Sequence, residues 1–352
     1  MVAPLEVEAM RRALALAASA DAPPGPNPRV GCVLIAPEGT VIAEGSHRGA
    51  GTAHAEVDAL VHAGERAAGA TAVVTLEPCN HHGRTPPCAD ALVAAGVARV
   101  VYAQGDPHAV AAGGALRLRE AGIDVEGGVL ADEAAALNEA WTFAVTHGRP
   151  LVTWKVAATL DGRVAASDGT SRWISGERSR AQVHDLRSAV DAILVGTGTV
   201  IADDPQLTAR TGDGMPTDVQ PLRVVVGMRD LPPDRRVLDS ASETLRLRTH
   251  DPVEVLDVLQ AREIRHVLLE GGPTVAAAFV RAGLVDRVVW YVAPVLLGAG
   301  APAVAELGIE TIGSAIRLSE VRVEQVGEDA RISGVVSRQV GSAAPVGLGR
   351  PG

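Results

Sequence analysis

Apolar and polar positions alternate along this chain in two registers, one with the period of helices and one with the period of strands. Leu5, Met10, Leu14 and Leu16 are spaced among alanines as a helix over residues 5–19, followed by a Pro/Gly-rich turn at Pro23 to Pro28. Val30–Ile35 and Val41–Gly45 flank Pro37-Glu38-Gly39 and predict a hairpin. The pattern then alternates: a helix from His54, strand Ala72–Leu76, a helix from Cys88, strand Arg99–Ala103, helix Gly114–Ala121 and a strand at Val125. Such alternation predicts a three-layer α/β domain.

A turn at Gly148-Arg149-Pro150 opens a second series. Strands are expected at Leu151–Ala157, Ala192–Gly196, Arg223–Val226, His266–Glu270, Val288–Val292, Val321–Val326 and Arg331–Ser337. Helices are expected at Glu177–Ser188, Val253–Arg262 and Thr274–Ala282, which makes this unit α/β as well. Two domains are therefore expected, residues 1–147 and 151–340, with a disordered Gly/Ala/Pro-rich tail at 341–352 and no internal repeat.

Composition narrows the function. With 42 acidic against 32 basic residues the chain is poorly suited to hold a long polyanion, although a local arginine pocket would suit a small anionic substrate. No apolar run reaches the length of a spanning helix, and the charged N-terminus lacks a signal peptide's core, so a cytoplasmic protein without membrane partners is expected. Three cysteines, at 32, 79 and 88, cannot build a disulfide framework. Cys79 and Cys88 are candidate metal ligands, whereas Cys32 follows Gly31 in an apolar strand and is expected to be buried.

The motif Thr52-Ala53-His54-Ala55-Glu56 opens one helix, and Glu77-Pro78-Cys79 with Cys88 brackets the start of another. His54, Cys79 and Cys88 would hold a tetrahedral zinc with its fourth position open, the arrangement of catalytic rather than structural sites. In zinc deaminases the glutamate two residues after the histidine carries protons and does not bind the metal. Glu56 stands there. Nucleic-acid and nucleoside deaminases usually place two residues between the cysteines; here there are eight, Asn80 to Pro87.

The string Cys79-Asn80-His81-His82-Gly83-Arg84-Thr85-Pro86-Pro87-Cys88 resembles the bifunctional deaminase/reductases of riboflavin biosynthesis, as do Pro26-Asn27-Pro28-Arg29-Val30-Gly31 and His47. The resemblance continues through Trp154-Lys155-Val156-Ala157, Ser171-Arg172-Trp173-Ile174, Gly196-Thr197-Gly198-Thr199, Asp203 to Arg210 and Glu270-Gly271-Gly272-Pro273-Thr274. It implies a cytidine-deaminase-like α/β/α domain followed by a dihydrofolate-reductase-like α/β domain. It also implies that Asn27, His47, His81 and Arg84 contact the deaminase substrate.

In the second half no Gly-x-Gly-x-x-Gly follows the first strand, so a standard dinucleotide fold is not supported. The resemblance assigns NADPH to Ala157, Trp173, Thr199, Asp203, Gly272, Pro273, Thr274, Val275, Ala276, Ala277 and Ala278. It assigns the reductase substrate to Ser171, Arg187, Leu207, Arg210 and Glu270. Lys155 is the only lysine of the chain, and a compact amine that titrates on burial suits it to protonate or polarise the sugar oxygen during reduction. The chain departs from the family after Leu222–Val226, where Gly227-Met228 replaces a common Asp-Ser whose serine contacts the cofactor in relatives.

The expected function is hydrolytic deamination of a ribosylated diaminopyrimidinone phosphate, then NADPH-dependent reduction of its ribosyl chain, with zinc and NADPH as cofactors. A small-molecule substrate, no nucleic-acid partner and a homo-oligomeric state are expected. Two rivals remain open on sequence: a tRNA or nucleoside deaminase with an accessory domain, and a zinc-stabilised binding protein without chemistry.

Overall fold

The structure, a computed structural model, describes residues 2–19, 25–81, 86–108 and 111–337. Arg84 and the 341–352 tail lie outside the described residues. The chain divides into two compact units, Met1–Pro150 with Leu259–His266, and Leu151–Val258 with Val267–Gly352.

The first unit is built on strands β1 (Gly31–Ile35), β2 (Val41–Ser46), β3 (Thr71–Leu76), β4 (Arg99–Gln104) and β5 (Asp124–Gly127), in the order β2-β1-β3-β4-β5. β1 pairs antiparallel with both β2 and β3, while β3, β4 and β5 run parallel. Its helices are α1 (Pro4–Ala17), α2 (Ala55–Ala63), α3 (Cys88–Ala94), α4 (Gly114–Glu120), α5 (Ala131–Leu137) and α6 (Glu139–His147). Successive side chains of a strand point to opposite faces, and the core follows that rule. Cys32, Leu34, Ala72 and Val74 pack with Ala55, Ala59, Leu92 and Leu118 of α2, α3 and α4. Val33, Ile35 and Val73 pack with Ala9, Met10 and Ala13 of α1 and Ala134 of α5. Three layers result, and Cys32 is fully buried, as expected of it.

The second unit contains β6 (Leu151–Thr159), β7 (Arg163–Ala165), β8 (Ala192–Gly196), β9 (Leu222–Val226), β10 (Thr244–Leu247), β11 (His266–Leu269), β12 (Arg287–Ala293), β13 (Ala301–Pro302), β14 (Arg317–Val326) and β15 (Asp329–Ser337). Eight of them form one sheet in the order β10-β9-β8-β11-β6-β12-β15-β14. β10, β9, β8 and β11 are mutually parallel, as are β6 and β12, and the β14–β15 hairpin closes the sheet antiparallel. β8 and β9 are buried along their whole length, as strands covered on both faces are. The helices are α7 (Glu177–Ser188), α8 (Thr197–Asp203), α9 (Pro252–Ala261) and α10 (Pro273–Arg281). Val195 of β8, Val200 of α8, Val225 of β9 and Leu268 of β11 meet in one apolar cluster. No helix among the described residues is long and apolar enough to cross a membrane.

The hydrophobic pattern leaves α5, α6 and α8 unpredicted. α5 buries a single small side chain, Ala134, so it carries no apolar stripe to read. α8 begins Thr197-Gly198-Thr199, residues of poor helix propensity, and forms where Thr197 and Val200 are buried.

Candidate functional sites

In the first unit, sheet and helix ends converge on one point. His54 caps the start of α2 in an extended conformation, Glu56 is the second residue of that helix, Cys79 lies three residues beyond β3 and Cys88 begins α3. Close packing fixes these ends. A Cβ on Gly45 of β2 would lie 2.2 Å from the Ala55 carbonyl oxygen, and one on Gly114 of α4 would lie 1.7 Å from that of Pro78. Glycine at both positions lets β2 and α4 press against the turns that carry His54 and Cys79.

The ligand atoms of His54, Cys79 and Cys88 all lie within 4.8 Å of one another. His54 Nδ1 is 3.1 Å from Cys88 Sγ and 3.6 Å from Cys79 Sγ. The backbone N–H of Cys88 donates to Cys79 Sγ at 3.4 Å. Hydrogen bonds from Cys88 and from His54 hold the Cys79 thiol down to about 4, so it is a thiolate at neutral pH. One imidazole and two sulfurs are a donor set that suits zinc. Glu56 is 4 % exposed, and burial pushes its carboxyl up to about 7, in the range where it can both accept and give a proton.

Of the expected substrate residues, His47 lies beside this cluster, its ring centre 5.3 Å from that of His54. Asn27 Nδ2 lies 2.8 Å from His47 Nε2, and His47 Nδ1 lies 3.0 Å from the Ala53 carbonyl oxygen. An amide nitrogen can only donate and a carbonyl can only accept, so His47 is neutral, with its proton on Nδ1. Burial, which lowers the His47 pKa, acts in the same direction. Asn27 thereby spends one N–H on His47 and keeps its amide oxygen for another partner. His81 Nδ1 is buried and makes no hydrogen bond to a described residue.

Two supporting residues have roles that the sequence reading did not assign. Asn138, 3 % exposed between α5 and α6, accepts from the Arg29 N–H at 2.8 Å and donates to the Arg29 carbonyl at 2.9 Å, pinning the loop that carries Asn27. Glu77 accepts from the N–H groups of Ala115 at 2.9 Å and Asp106 at 3.2 Å, anchoring the turn before Cys79.

The second unit holds a cavity of about 1000 Å³ at the C-terminal ends of the parallel strands. Lys155, Ala157, Ser171, Trp173, Arg187, Thr199, Asp203, Leu207, Arg210, Glu270, Gly272, Pro273, Thr274, Val275 and Ala278 line it. Ala276 and Ala277 do not. Both are fully buried within α10.

Glu270 organises one wall of the cavity. Arg187 clasps it through Nε at 2.7 Å and Nη2 at 3.0 Å, and Lys155 Nζ stands 3.5 Å from its Oε2. Although burial opposes ionisation, the charges of Arg187 and Lys155 hold the Glu270 carboxyl down at about 2. Burial also lowers the Lys155 pKa, and the Glu270 charge only partly restores it. Most of the Arg187 fork is thus directed at Glu270, with Nη1 donating to the Thr208 carbonyl at 3.3 Å. His184, one turn before Arg187, meets the same carbonyl at 3.2 Å through Nδ1. Trp173 is 69 % exposed with the Arg180 guanidinium 4.5 Å from its ring centre, a broad apolar plate on the cavity wall.

The start of α10 suits a dinucleotide. Gly272 caps α10, and its N–H donates to Thr199 Oγ1 at 3.1 Å. A Cβ on Gly272 would lie 3.3 Å from that oxygen, so glycine lets the start of α10, where a phosphate is favoured, approach Thr199 closely.

A His/Cys/Cys cluster beside a buried glutamate and a large cavity across parallel strand ends define a two-site enzyme with a zinc deaminase half and a reductase half. Comparison with known proteins identifies the family. The family described as "Cytidine and deoxycytidylate deaminase zinc-binding region" matches residues 5–104, and the RibD C-terminal domain matches residues 150–332. The riboflavin biosynthesis protein RibD of Mycobacterium tuberculosis is 54 % identical over 294 residues, 83 % of this chain and 86 % of that protein. RibD of Escherichia coli is 42 % identical over 340 residues, 87 % of this chain and 92 % of that protein. The structure of Acinetobacter baumannii RibD superposes with a TM-score of 0.87 at 39 % identity, covering 95 % of this chain and 99 % of that one. The chain belongs to the bifunctional RibD family of riboflavin biosynthesis, with deaminase and reductase activities, and its cofactors are zinc and NADPH. The tRNA-deaminase and non-catalytic alternatives are not favoured by these relatives.

Proposed function

We propose that the first unit deaminates 2,5-diamino-6-ribosylamino-4(3H)-pyrimidinone 5′-phosphate and that the second reduces the ribosyl chain of the product to ribityl. The observation that carries this reading is the buried Glu56 carboxyl beside the convergent His54, Cys79 and Cys88 ligand atoms. His54, Cys79 and Cys88 would hold zinc, which when bound supplies Lewis acidity toward a water molecule. Glu56 takes the proton of that water and returns protons to the ring and to the departing ammonia. Asn27, His47 and His81 orient the pyrimidine, and Arg84 its phosphate. Incubating the protein with the diaminopyrimidinone phosphate and zinc should yield a product heavier by one mass unit, as NH is exchanged for O. Adding NADPH should raise that product by two further units, and an unchanged substrate mass would refute the reading.

In the second unit NADPH, which supplies hydride when bound, would lie along Trp173, Thr199 and Gly272 with Ala157, Asp203, Pro273, Thr274, Val275 and Ala278. Ser171, Leu207 and Arg210 would hold the substrate. Lys155, held against Glu270 and facing the cavity, gives a proton to the sugar oxygen, and Arg187 keeps Glu270 ionised beside it. Lys155→Arg should keep the charge yet reduce kcat of reduction by about 10²-fold or more with little change in NADPH affinity, since a guanidinium does not release a proton. A normal kcat would remove Lys155 from the chemistry. Gly272→Val should weaken NADPH binding by about tenfold or more, because its side chain would push Thr199 away and crowd the start of α10. Equal affinity in titrations of the two proteins would place the phosphates elsewhere.

We further propose a cytoplasmic protein that binds no nucleic acid and no membrane, supported by the formal net charge of −10 and the lack of a spanning helix among the described residues. Self-association is supported by β14, a sheet-edge strand on which Val321 is 51 % and Val323 68 % exposed. Light scattering should give at least twice the 36.1 kDa chain mass, and a monomer would refute it.

A further inference from the structure

We propose that Arg229 reads the 2′-phosphate of NADPH and so sets the preference of this chain for NADPH over NADH. This rests on the placement of NADPH in the cavity of the second unit. β8, β9 and β10 are parallel neighbours, and the segments that follow each of them line that cavity. In open parallel sheets the dinucleotide crosses the carboxyl ends of the strands. Wherever the ribose comes to lie along those ends, an arginine nearby accommodates a 2′-phosphate, as a carboxylate accommodates the 2′-hydroxyl. β9 adjoins β8, whose C-terminal turn carries Gly196 to Thr199. Arg229 is the third residue after β9.

Charged residues near Arg229 pair with one another. Asp230 accepts from Arg248 at 2.8 Å and lies 3.8 Å from Arg246, and Arg236 pairs with Asp204 at 3.4 Å. Arg229 makes no hydrogen bond or ion pair with any described residue, although it lines the cavity. Its guanidinium reaches the turn after β8, because a Cβ on Gly198 would lie 2.7 Å from Arg229 Nη2. Gly198 therefore leaves the space that this cation occupies.

The departure at Gly227-Met228 acquires a reason on this reading. Gly227 has φ +127°, and a Cβ there would lie 2.7 Å from Thr197 Oγ1, so the turn that delivers Arg229 to the cavity requires glycine. An aspartate at that position would be strained and would set a carboxylate near the phosphate. Met228, 52 % exposed, has no hydroxyl to offer a phosphate. A guanidinium can supply two parallel charged hydrogen bonds in its place.

The test is calorimetric binding of 2′,5′-ADP and 5′-AMP, which differ only in the 2′-phosphate, to the full-length protein and to Arg229→Gln. Wild type should prefer 2′,5′-ADP, and Arg229→Gln should weaken 2′,5′-ADP by about 10–100-fold while changing 5′-AMP by less than about twofold. Arg229→Lys should recover part of the preference. If Arg229→Gln discriminates as well as wild type, or weakens both nucleotides equally, Arg229 does not read the phosphate. If Gly272→Val leaves NADPH binding intact and wild type shows no preference, the placement of NADPH falls, and the inference with it.

Discussion

Glu56→Ala is expected to reduce ammonia release by about 10²–10⁴-fold while the protein still binds one zinc per chain. The side chain is 4 % exposed and sits two residues after His54, yet its carboxylate is not part of the His54, Cys79 and Cys88 cluster. Removing it takes away the group that moves protons without taking away a ligand. His54→Ala differs in kind. It removes one of three ligand atoms, so zinc itself should be lost and deamination with it. Elemental analysis of the two variants alongside an ammonia assay separates the outcomes. A Glu56→Ala protein that is zinc-free, or that deaminates at the normal rate, would overturn the division of roles. Glu56→Gln preserves the shape of the buried side chain and guards against a packing effect, and it should be as inactive as the alanine variant.

The sequence conveys chemistry more completely than it conveys support. His54, Glu56, Cys79 and Cys88 are legible because metal chemistry restricts residue type and because their spacing places each at the start of a helix or the end of a strand. β1, β3, β8 and β9 are legible as apolar runs bounded by turn residues, since strands buried on both faces carry little else. Asn138 is illegible for the opposite reason. Its role is two hydrogen bonds to the backbone of Arg29, 109 positions away, and backbone recognition leaves no pattern in the residues recognised. Arg223 is a similar case. An arginine in the run Leu222–Val226 reads as the polar residue of a strand, yet it is fully buried, donating to the Asp239 carboxylate at 2.7 Å and to the Gln206 carbonyl at 3.3 Å. Arg187, which the resemblance implies as a substrate contact, also turns Nε and Nη2 on Glu270, a partner 83 positions away that no local pattern announces.

Stripping zinc should abolish ammonia release and leave NADPH oxidation unchanged when the deaminated pyrimidine is supplied directly. The metal-binding cluster draws its ligands from residues 54, 79 and 88, all in the first unit, and the second half of the chain contains no cysteine. The reductase cavity is lined entirely by residues 155–303, and its ionic centre sets two cations, Lys155 and Arg187, on the one carboxylate of Glu270. Among the described residues the one His/Cys/Asp/Glu cluster able to hold a metal is that of the first unit, so reduction is expected to survive the chelator. Zinc binding is coupled to the order of the loops that carry its ligands, so circular dichroism on the same sample distinguishes loss of metal from loss of fold. Restoring zinc should restore deamination in proportion to the metal bound. If the fold persists while reduction stops together with deamination, two independent sites cannot describe this enzyme, and the reductase chemistry must depend on the metal of the first unit.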